Sequence, residues 1–284
     1  MTLLNTLLIE HIQSQVAFSL EEDVGSGDIT AQLIPADQQI TATVISREEA
    51  VLCGQAWVNE VFSQLGNQAS LEWHNQEGDL LKANHPFLTI KGNARAILTG
   101  ERVALNFLQT LSYTASVTRQ YSQIVADTEL TILDTRKTLP GMRQAQKYAV
   151  TVGGGKNHRM GLYDAFLIKE NHIMAAGSIA NAVSMAQKIA PGKTIEVETE
   201  NLDEVSMAVD AGADIIMLDN FSYDDMTKAV SDFKGKVKFE ASGNMTKEHL
   251  LKVAKTGVDF VSIGALTKHI QAIDLSLRVS QDKL

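Results

Sequence analysis

Apolar residues follow two different rhythms along this chain, and the change comes near Thr114. Before it, an amphipathic stretch over Leu3–Leu20 predicts a helix. Strand-like runs at Ala42–Ser46, Leu71–His74 and Phe87–Gly92 follow, with Gly54, Gly66, Gly78 and Gly92 as punctuation. A helix from Ala94 to about Tyr113, apolar at Val103, Leu105, Leu108 and Leu111, closes this part. After Thr114 a strand–loop–helix pattern repeats. Strands are predicted at Leu130–Asp134, Asp164–Lys169, Thr194–Val197, Asp214–Leu218, Val237–Glu240 and Asp259–Ile263. Most are short continuous apolar runs, the signature of strands buried on both faces of a parallel sheet.

Amphipathic helices are expected between them at Ile179–Ile189, Leu202–Ala211, Tyr223–Phe233 and Lys247–Lys255. Ser178, Asn201 and Thr246 suit N-caps, Glu204 completes a capping-box pattern with Asn201, and Gly212 and Gly257 suit left-handed C-terminal positions. The run Ala208–Asp219 parallels Val253–Gly264: each reads helix end, glycine, aspartate, four-residue strand. This is the helix–strand half of a (β/α) barrel, with a doubly wound open sheet as the rival; six strands fall short of the eight in a complete barrel.

Length and composition leave that picture intact. The 284 residues, 44% hydrophobic and 21% charged, suit two domains or one large barrel-type domain with a full core. A formal net charge of -9 argues against nucleic acid or an acidic membrane as the main partner, though not against a small anion that feels local charge. Cys53 is the sole cysteine, so an internal disulfide and a cysteine-ligated cluster are excluded. The first helix carries Glu10 and His11 without a basic leader and is not read as a signal peptide. No window is apolar for long enough to span a bilayer. A reducing cytoplasmic setting is expected.

The candidate chemistry sits after the strands. Asp134, Arg136 and Lys137 come after Ile132-Leu133; Lys169, Glu170, Asn171 and His172 after Phe166-Leu167-Ile168; Glu196 and Glu198 after Ile195; Asp219 and Asn220 after Met217-Leu218. Glu240 and Ser242-Gly243-Asn244 come after Phe239, and Gly264-Ala265 after Ile263. A single charged residue after a strand is usually solvated loop, but six strand ends in succession point to one mouth. Between Asp134 and His172 seven basic and three acidic residues leave a local charge of +4 in an acidic chain. Arg143 and Lys147, four residues apart, are expected to form a solvated helix face. Arg136, Lys137, Arg159 and Lys169 are expected to meet an anion. Backbone amides at Ser242-Gly243-Asn244 and Gly264-Ala265 suit a phosphate, while Glu198 and Asp219 suit Mg²⁺ shared with phosphate oxygens, or ribose hydroxyls. Gly153-Gly154-Gly155-Lys156-Asn157 is no Walker A loop, Gly25-Ser26-Gly27 is no dinucleotide fingerprint, and His158 and His172 lack zinc-type spacing. Two other classes remain at this point: a barrel aldolase using Lys169 as a Schiff-base amine, and a phosphosugar-binding regulator.

The run Asp134-Thr135-Arg136-Lys137-Thr138-Leu139-Pro140-Gly141-Met142-Arg143 continues through Lys147-Tyr148-Ala149-Val150, Gly153-Gly154-Gly155-Lys156-Asn157-His158-Arg159 and Leu167-Ile168-Lys169-Glu170-Asn171-His172. With Gly100-Glu101-Arg102, Glu196-Val197-Glu198, Leu218-Asp219-Asn220, Ala241-Ser242-Gly243-Asn244 and Ile263-Gly264-Ala265, it closely resembles the quinolinate phosphoribosyltransferases over nearly the whole chain. The resemblance implies an N-terminal α/β sandwich over residues 1–113 and an open, TIM-like, seven-stranded α/β barrel over 114–269. A tail, 270–284, would return to the first domain. It implies transfer of phosphoribose from phosphoribosyl pyrophosphate to quinolinate with loss of CO₂, using Mg²⁺, in a head-to-tail homodimer. Lys137, Lys169, Glu198 and Asp219 would be catalytic. Thr135, Arg136, Lys137, His158, Arg159 and Lys169 would contact quinolinate carboxylates or pyrophosphate. Glu198 and Asp219 would hold ribose and metal, Ser242, Gly243, Asn244, Gly264 and Ala265 the 5′-phosphate, and Arg102 would reach into the neighbouring subunit's site. The closest rival within the resemblance is a transferase for nicotinate or another pyridine or pyrimidine acid, such as a molybdenum-associated paralogue.

Overall fold

The computed structural model describes residues 6–243 and 245–280. Along the chain lie α1 (Thr6–Val24), β1 (Gln39–Ser46), β2 (Ala50–Val51), α2 (Gln55–Gln64), β3 (Ala69–Trp73), β4 (Leu80–Leu81), β5 (Pro86–Asn93) and α3 (Ala94–Ile124). Then come β6 (Thr131–Leu133), α4 (Arg143–Val152), β7 (Phe166–Ile168), α5 (Glu170–Ala176), α6 (Ile179–Ile189), β8 (Ile195–Thr199), α7 (Leu202–Ala211) and β9 (Ile215–Asp219). Last are α8 (Tyr223–Phe233), β10 (Lys238–Ser242), α9 (Lys247–Thr256), β11 (Phe260–Ser262), α10 (Ala265–Lys268) and β12 (Leu275–Val279). No helix is long and apolar enough to cross a membrane among the described residues.

Two compact units divide these elements. The first takes the described residues up to Arg119, Leu139–Gly154 and those from His269; the second takes Gln120–Thr138 and Gly155–Lys268. In the first unit a four-stranded antiparallel sheet has the order β12-β1-β5-β3. Leu8, Ile12, Val16 and Leu20 recur every four residues on α1 and are all buried, the stripe a helix needs to pack. Trp57 is fully buried, donates its indole N–H to Gln15 Oε1 at 2.8 Å, and tilts against Phe107 and Tyr148. Glu77 caps α2 from outside it: its two oxygens accept the Gly54 and Gln55 amides at 2.8 and 3.1 Å.

Three sequence expectations change here. The long helix does not stop near Tyr113 but runs to Ile124, because buried Ala115, Thr118 and Tyr121 continue the apolar spacing. The 113/114 division therefore falls within a helix. The segment Leu139–Gly154 belongs to the first unit, not the barrel: Ala145, Tyr148, Ala149 and Val152 of α4 join that unit's hydrophobic core. For the same reason Arg143 and Lys147 make no solvated face, and Lys147 is fully buried within α4.

The second unit is an open α/β barrel. Its six strands are all parallel, in the order β6-β11-β10-β9-β8-β7, and β6 and β7 do not pair with each other. Lys156 extends the open edge by a parallel bridge to Leu133. Val183, Val205, Met226, Leu250 and Val253 on the intervening helices are buried. Ser178 and Asn201 cap through their side chains, whereas the Thr246 hydroxyl turns to Glu248. The internal repeat has a physical purpose: Asp214 and Asp259 each accept an amide at the start of a neighbouring strand, Ile195 N at 2.8 Å and Phe239 N at 2.9 Å. The repeated Gly-x-Asp thus ends a helix and aligns two strands.

Candidate functional site

Alternation along the barrel strands decides which side chains face inward. Glu196 and Glu198 of β8, Met217 and Asp219 of β9, and Glu240 and Ser242 of β10 lie two residues apart on their strands. Apart from Glu196, all of these border one cavity of about 480 Å³, joined by Thr135, Arg136, Lys137, His158, Arg159, Leu167, Lys169 and Ser262. The barrel unit therefore gathers four cations and two strand-end carboxylates around one opening.

The loops are held by specific bonds. Asp134, fully buried, accepts the His158 amide at 2.9 Å and the Asn157 side-chain amide at 2.6 Å, tying the loop after β6 to the one that carries Arg159. Thr267, also buried, donates to the Lys137 carbonyl at 2.9 Å. Gly264 lets Lys137 cross close by, since a Cβ there would stand 3.0 Å from Lys137 Cδ. Gly243 is required twice over. Its φ is +101°, and a Cβ would meet Asn220 Oδ1 at 2.1 Å. Asn220, itself left-handed at φ 55°, donates to Asp219 Oδ2 at 3.1 Å and so orients that carboxylate.

Charge is unevenly compensated. Lys169 forms an ion pair with Glu198. The Arg136 Nε is buried with no hydrogen-bond partner among the described residues. Burial, and next the adjacent Arg136 charge, pull the Arg159 guanidinium below its usual range. Two arginines crowded together, one with a buried donor that no described residue satisfies, suit a multiply charged anion.

Below them His158, expected at the site, meets Glu196 and Glu240, strand residues expected at the same mouth but given no role from the sequence. His158 Nε2 stands 2.8 Å from Glu196 Oε2 and 3.5 Å from Glu240 Oε2, with side-chain exposures of 12%, 4% and 0%. His158 Nδ1 accepts the Arg159 amide at 2.8 Å, so the hydrogen-bond network assigns the ring proton to Nε2, which donates to Glu196. Both ring nitrogens of His158 are thus engaged by the protein. Burial, and then the charge of Glu196, push the Glu240 carboxyl up to about 8, so it keeps its proton at neutral pH. The signal for these two acids was present as Glu196 and Glu240 two residues before Glu198 and Ser242, on the same strand faces.

Of the other expected residues, Ser242 ends β10 and Ala265 opens α10, each partly buried. Arg102 is exposed on α3 in the first unit. Asn244 lies outside the described residues.

Comparison with known proteins gives this constellation a lineage. The quinolinate phosphoribosyl transferase family matches by its N-terminal domain over residues 28–112 and by its C-terminal domain over 114–278. The chain belongs to this family. The nicotinate-nucleotide pyrophosphorylase of Francisella tularensis is 52% identical and superimposes with a TM-score of 0.93 over 96% of this chain and 97% of that one. A probable carboxylating nicotinate-nucleotide pyrophosphorylase of Bacillus subtilis is 41% identical over 91% of this chain and 90% of its own length. The chloroplastic carboxylating enzyme of Arabidopsis thaliana is 37% identical over 95% and 83%. In this member of the quinolinate phosphoribosyl transferase family, the polar residues that border the cavity lie on the barrel's strands and the loops that follow them.

Proposed function

We propose that this chain is a carboxylating nicotinate-nucleotide pyrophosphorylase. It transfers phosphoribose from phosphoribosyl pyrophosphate to quinolinate and releases nicotinate mononucleotide, CO₂ and pyrophosphate in NAD biosynthesis. The observation that carries this reading is the cavity's cation set. Arg136, Lys137, Arg159 and Lys169 converge on one opening, and the buried Arg136 Nε is unsatisfied. A dicarboxylate and a polyphosphate repel one another, and only such a surplus of positive charge brings them together.

In this reading Arg136 and Arg159 hold quinolinate carboxylates, and Thr135 and His158 shape that end of the cavity. Lys137 and Lys169 face the pyrophosphate, whose departure they favour by stabilising the developing negative charge. Glu198 and Asp219 face the ribose, where carboxylates stabilise positive charge growing on the sugar ring as the C1′ bond breaks. Backbone amides at Ser242, Gly243, Asn244, Gly264 and Ala265 take the 5′-phosphate. Glu198 and Asp219, oxygen donors on neighbouring strands, fit Mg²⁺, which keeps several waters and binds through one or two carboxylates plus phosphates. When bound, Mg²⁺ neutralises charge on the polyphosphate. A cytoplasmic homodimer, in which exposed Arg102 reaches the partner's site, completes the proposal.

The test is one assay: quinolinate, phosphoribosyl pyrophosphate and Mg²⁺, following CO₂ release, with nicotinate as control. Quinolinate-dependent CO₂ release is expected. Equal turnover of nicotinate would overturn the carboxylating assignment in favour of a related pyridine-acid transferase. The dimer is tested by mixing Arg102→Ala with Lys169→Ala protein: shared sites restore part of the activity, and separate sites restore none.

A further inference from the structure

Arg159 stands where its charge is opposed, and the loop that carries it is built to keep it there. Burial first, and then the neighbouring Arg136 charge, work against the charged guanidinium, while Glu196 and Asp164 support it. An untethered loop would carry Arg159 away from that like charge and into water. This loop is tethered. The four successive amides from His158 to Gly161 all give their protons to side chains. His158 N donates to Asp134 Oδ1 at 2.9 Å, and Arg159 N to His158 Nδ1 at 2.8 Å. Met160 N and Gly161 N donate to the two oxygens of Asp164, at 2.6 and 3.2 Å. Just upstream, Asn157 Nδ2 donates to Asp134 Oδ2 at 2.6 Å, and Lys156 N to the Ile132 carbonyl at 2.8 Å. Lys156, Asn157, Leu162 and Tyr163 are exposed, so amides here could have bonded water instead.

We propose that Asp134 and Asp164 are positioning residues that clamp the two sides of Arg159. They thereby set the spacing of Arg136 and Arg159, and that spacing selects a ring bearing two adjacent carboxylates over one bearing a single carboxylate. The proposal rests on the quinolinate reading above. Quinolinate carries its carboxylates on neighbouring ring carbons. The second carboxylate adds most affinity when a second cation already stands at a fixed distance from the first.

The two aspartates supply that distance from the barrel frame. Asp134 directly follows β6 and precedes Arg136 by two residues, yet its side chain holds the residue before Arg159. Asp164 lies two residues before β7 and holds the two residues after Arg159. Lys137, assigned above to pyrophosphate, is held separately. Its amide donates to Thr135 Oγ1 at 3.0 Å, and its carbonyl accepts from Thr267 at 2.9 Å. Loss of the clamp therefore acts on one substrate more than on the other.

Steady-state KM values for quinolinate and for phosphoribosyl pyrophosphate, with quinolinate affinity by calorimetry, test this. Asp134→Ala and Asp164→Ala should each raise the quinolinate KM and weaken its binding by about 10- to 100-fold, while the KM for phosphoribosyl pyrophosphate moves by less than about threefold. Asp134→Asn and Asp164→Asn each keep one acceptor oxygen, and each should recover part of the loss. Asp164→Ala, at a half-buried position, carries the test if Asp134→Ala does not fold. Folded alanine variants with a wild-type quinolinate KM, equal rises in both KM values, or asparagine variants no better than alanine would overturn the clamp. A wild-type protein that neither binds nor turns over quinolinate would instead overturn the reading on which it rests.

Discussion

Replacing Glu240 by Gln removes a proton-binding group from the barrel interior, and its effect on stability follows from where that proton sits. The group titrates at about 8 in the fold against an ordinary 4.5. A raised carboxyl pKa means that the folded state binds the proton more tightly than the unfolded state. Below pH 4.5 the acid is neutral in both states, and the fold carries no penalty. Between pH 4.5 and 8 the unfolded chain gains solvation of the carboxylate while the folded chain does not. Stability is then lost at up to about 1.4 kcal/mol per pH unit. At pH 7 the accumulated cost is about 3 kcal/mol, and above pH 8 it levels near 5 kcal/mol, as orders of magnitude. The Gln variant escapes this cost. Urea melts of both proteins at pH 5, 6, 7 and 8 should therefore diverge, with the variant gaining as pH rises. Any fixed offset from packing an amide in place of an acid leaves the slope untouched. Parallel curves, or a gap that narrows with pH, would refute a proton held on Glu240.

Other perturbations probe the rest of the barrel unit and the first unit. Arg136→Ala and Arg159→Ala should each cut quinolinate turnover by about 10²-fold or more, because each strips a half-buried charge from a doubly charged ligand; steady-state CO₂ release measures it. Gly243→Ala forces a Cβ onto Asn220 Oδ1 at a left-handed φ, and about 1–3 kcal/mol of strain should appear as a raised KM for phosphoribosyl pyrophosphate. Thr267→Val keeps shape but loses the bond to the Lys137 carbonyl, and should lower kcat/KM several-fold for about 1 kcal/mol of lost positioning. In the first unit, Glu77→Ala uncaps α2, and its melting curve should show a loss of about 1–2 kcal/mol.

Local chemistry made much of this architecture legible. Ile179–Ile189, Leu202–Ala211 and Tyr223–Phe233 are helices with the bounds their periodicity and caps predict, because capping and a stripe every three to four residues are properties of a short window. The six barrel strands were visible as apolar runs, and the alternation Glu196, Glu198 and Glu240, Ser242 already put those pairs on single faces. The extension of α3 past Thr114 was hidden because Ser, Thr and Arg fill its last turns, and only neighbouring structure buries Thr118 and Tyr121.

What the sequence by itself determined was the class of fold, the strand ends that carry polar groups, and the local excess of positive charge. Only the tertiary structure decided which of those charges meet. Arg143 and Lys147 left the barrel with α4, while Arg136, Lys137, Arg159 and Lys169 stayed around one cavity. It also decided that Glu196 and Glu240, forty-four positions apart, share one desolvated pocket with His158. Spacing along a chain sets the direction of a side chain relative to its own backbone. Dielectric and proton occupancy depend on neighbours that the strand order β10-β9-β8 brings together, and no local pattern records them.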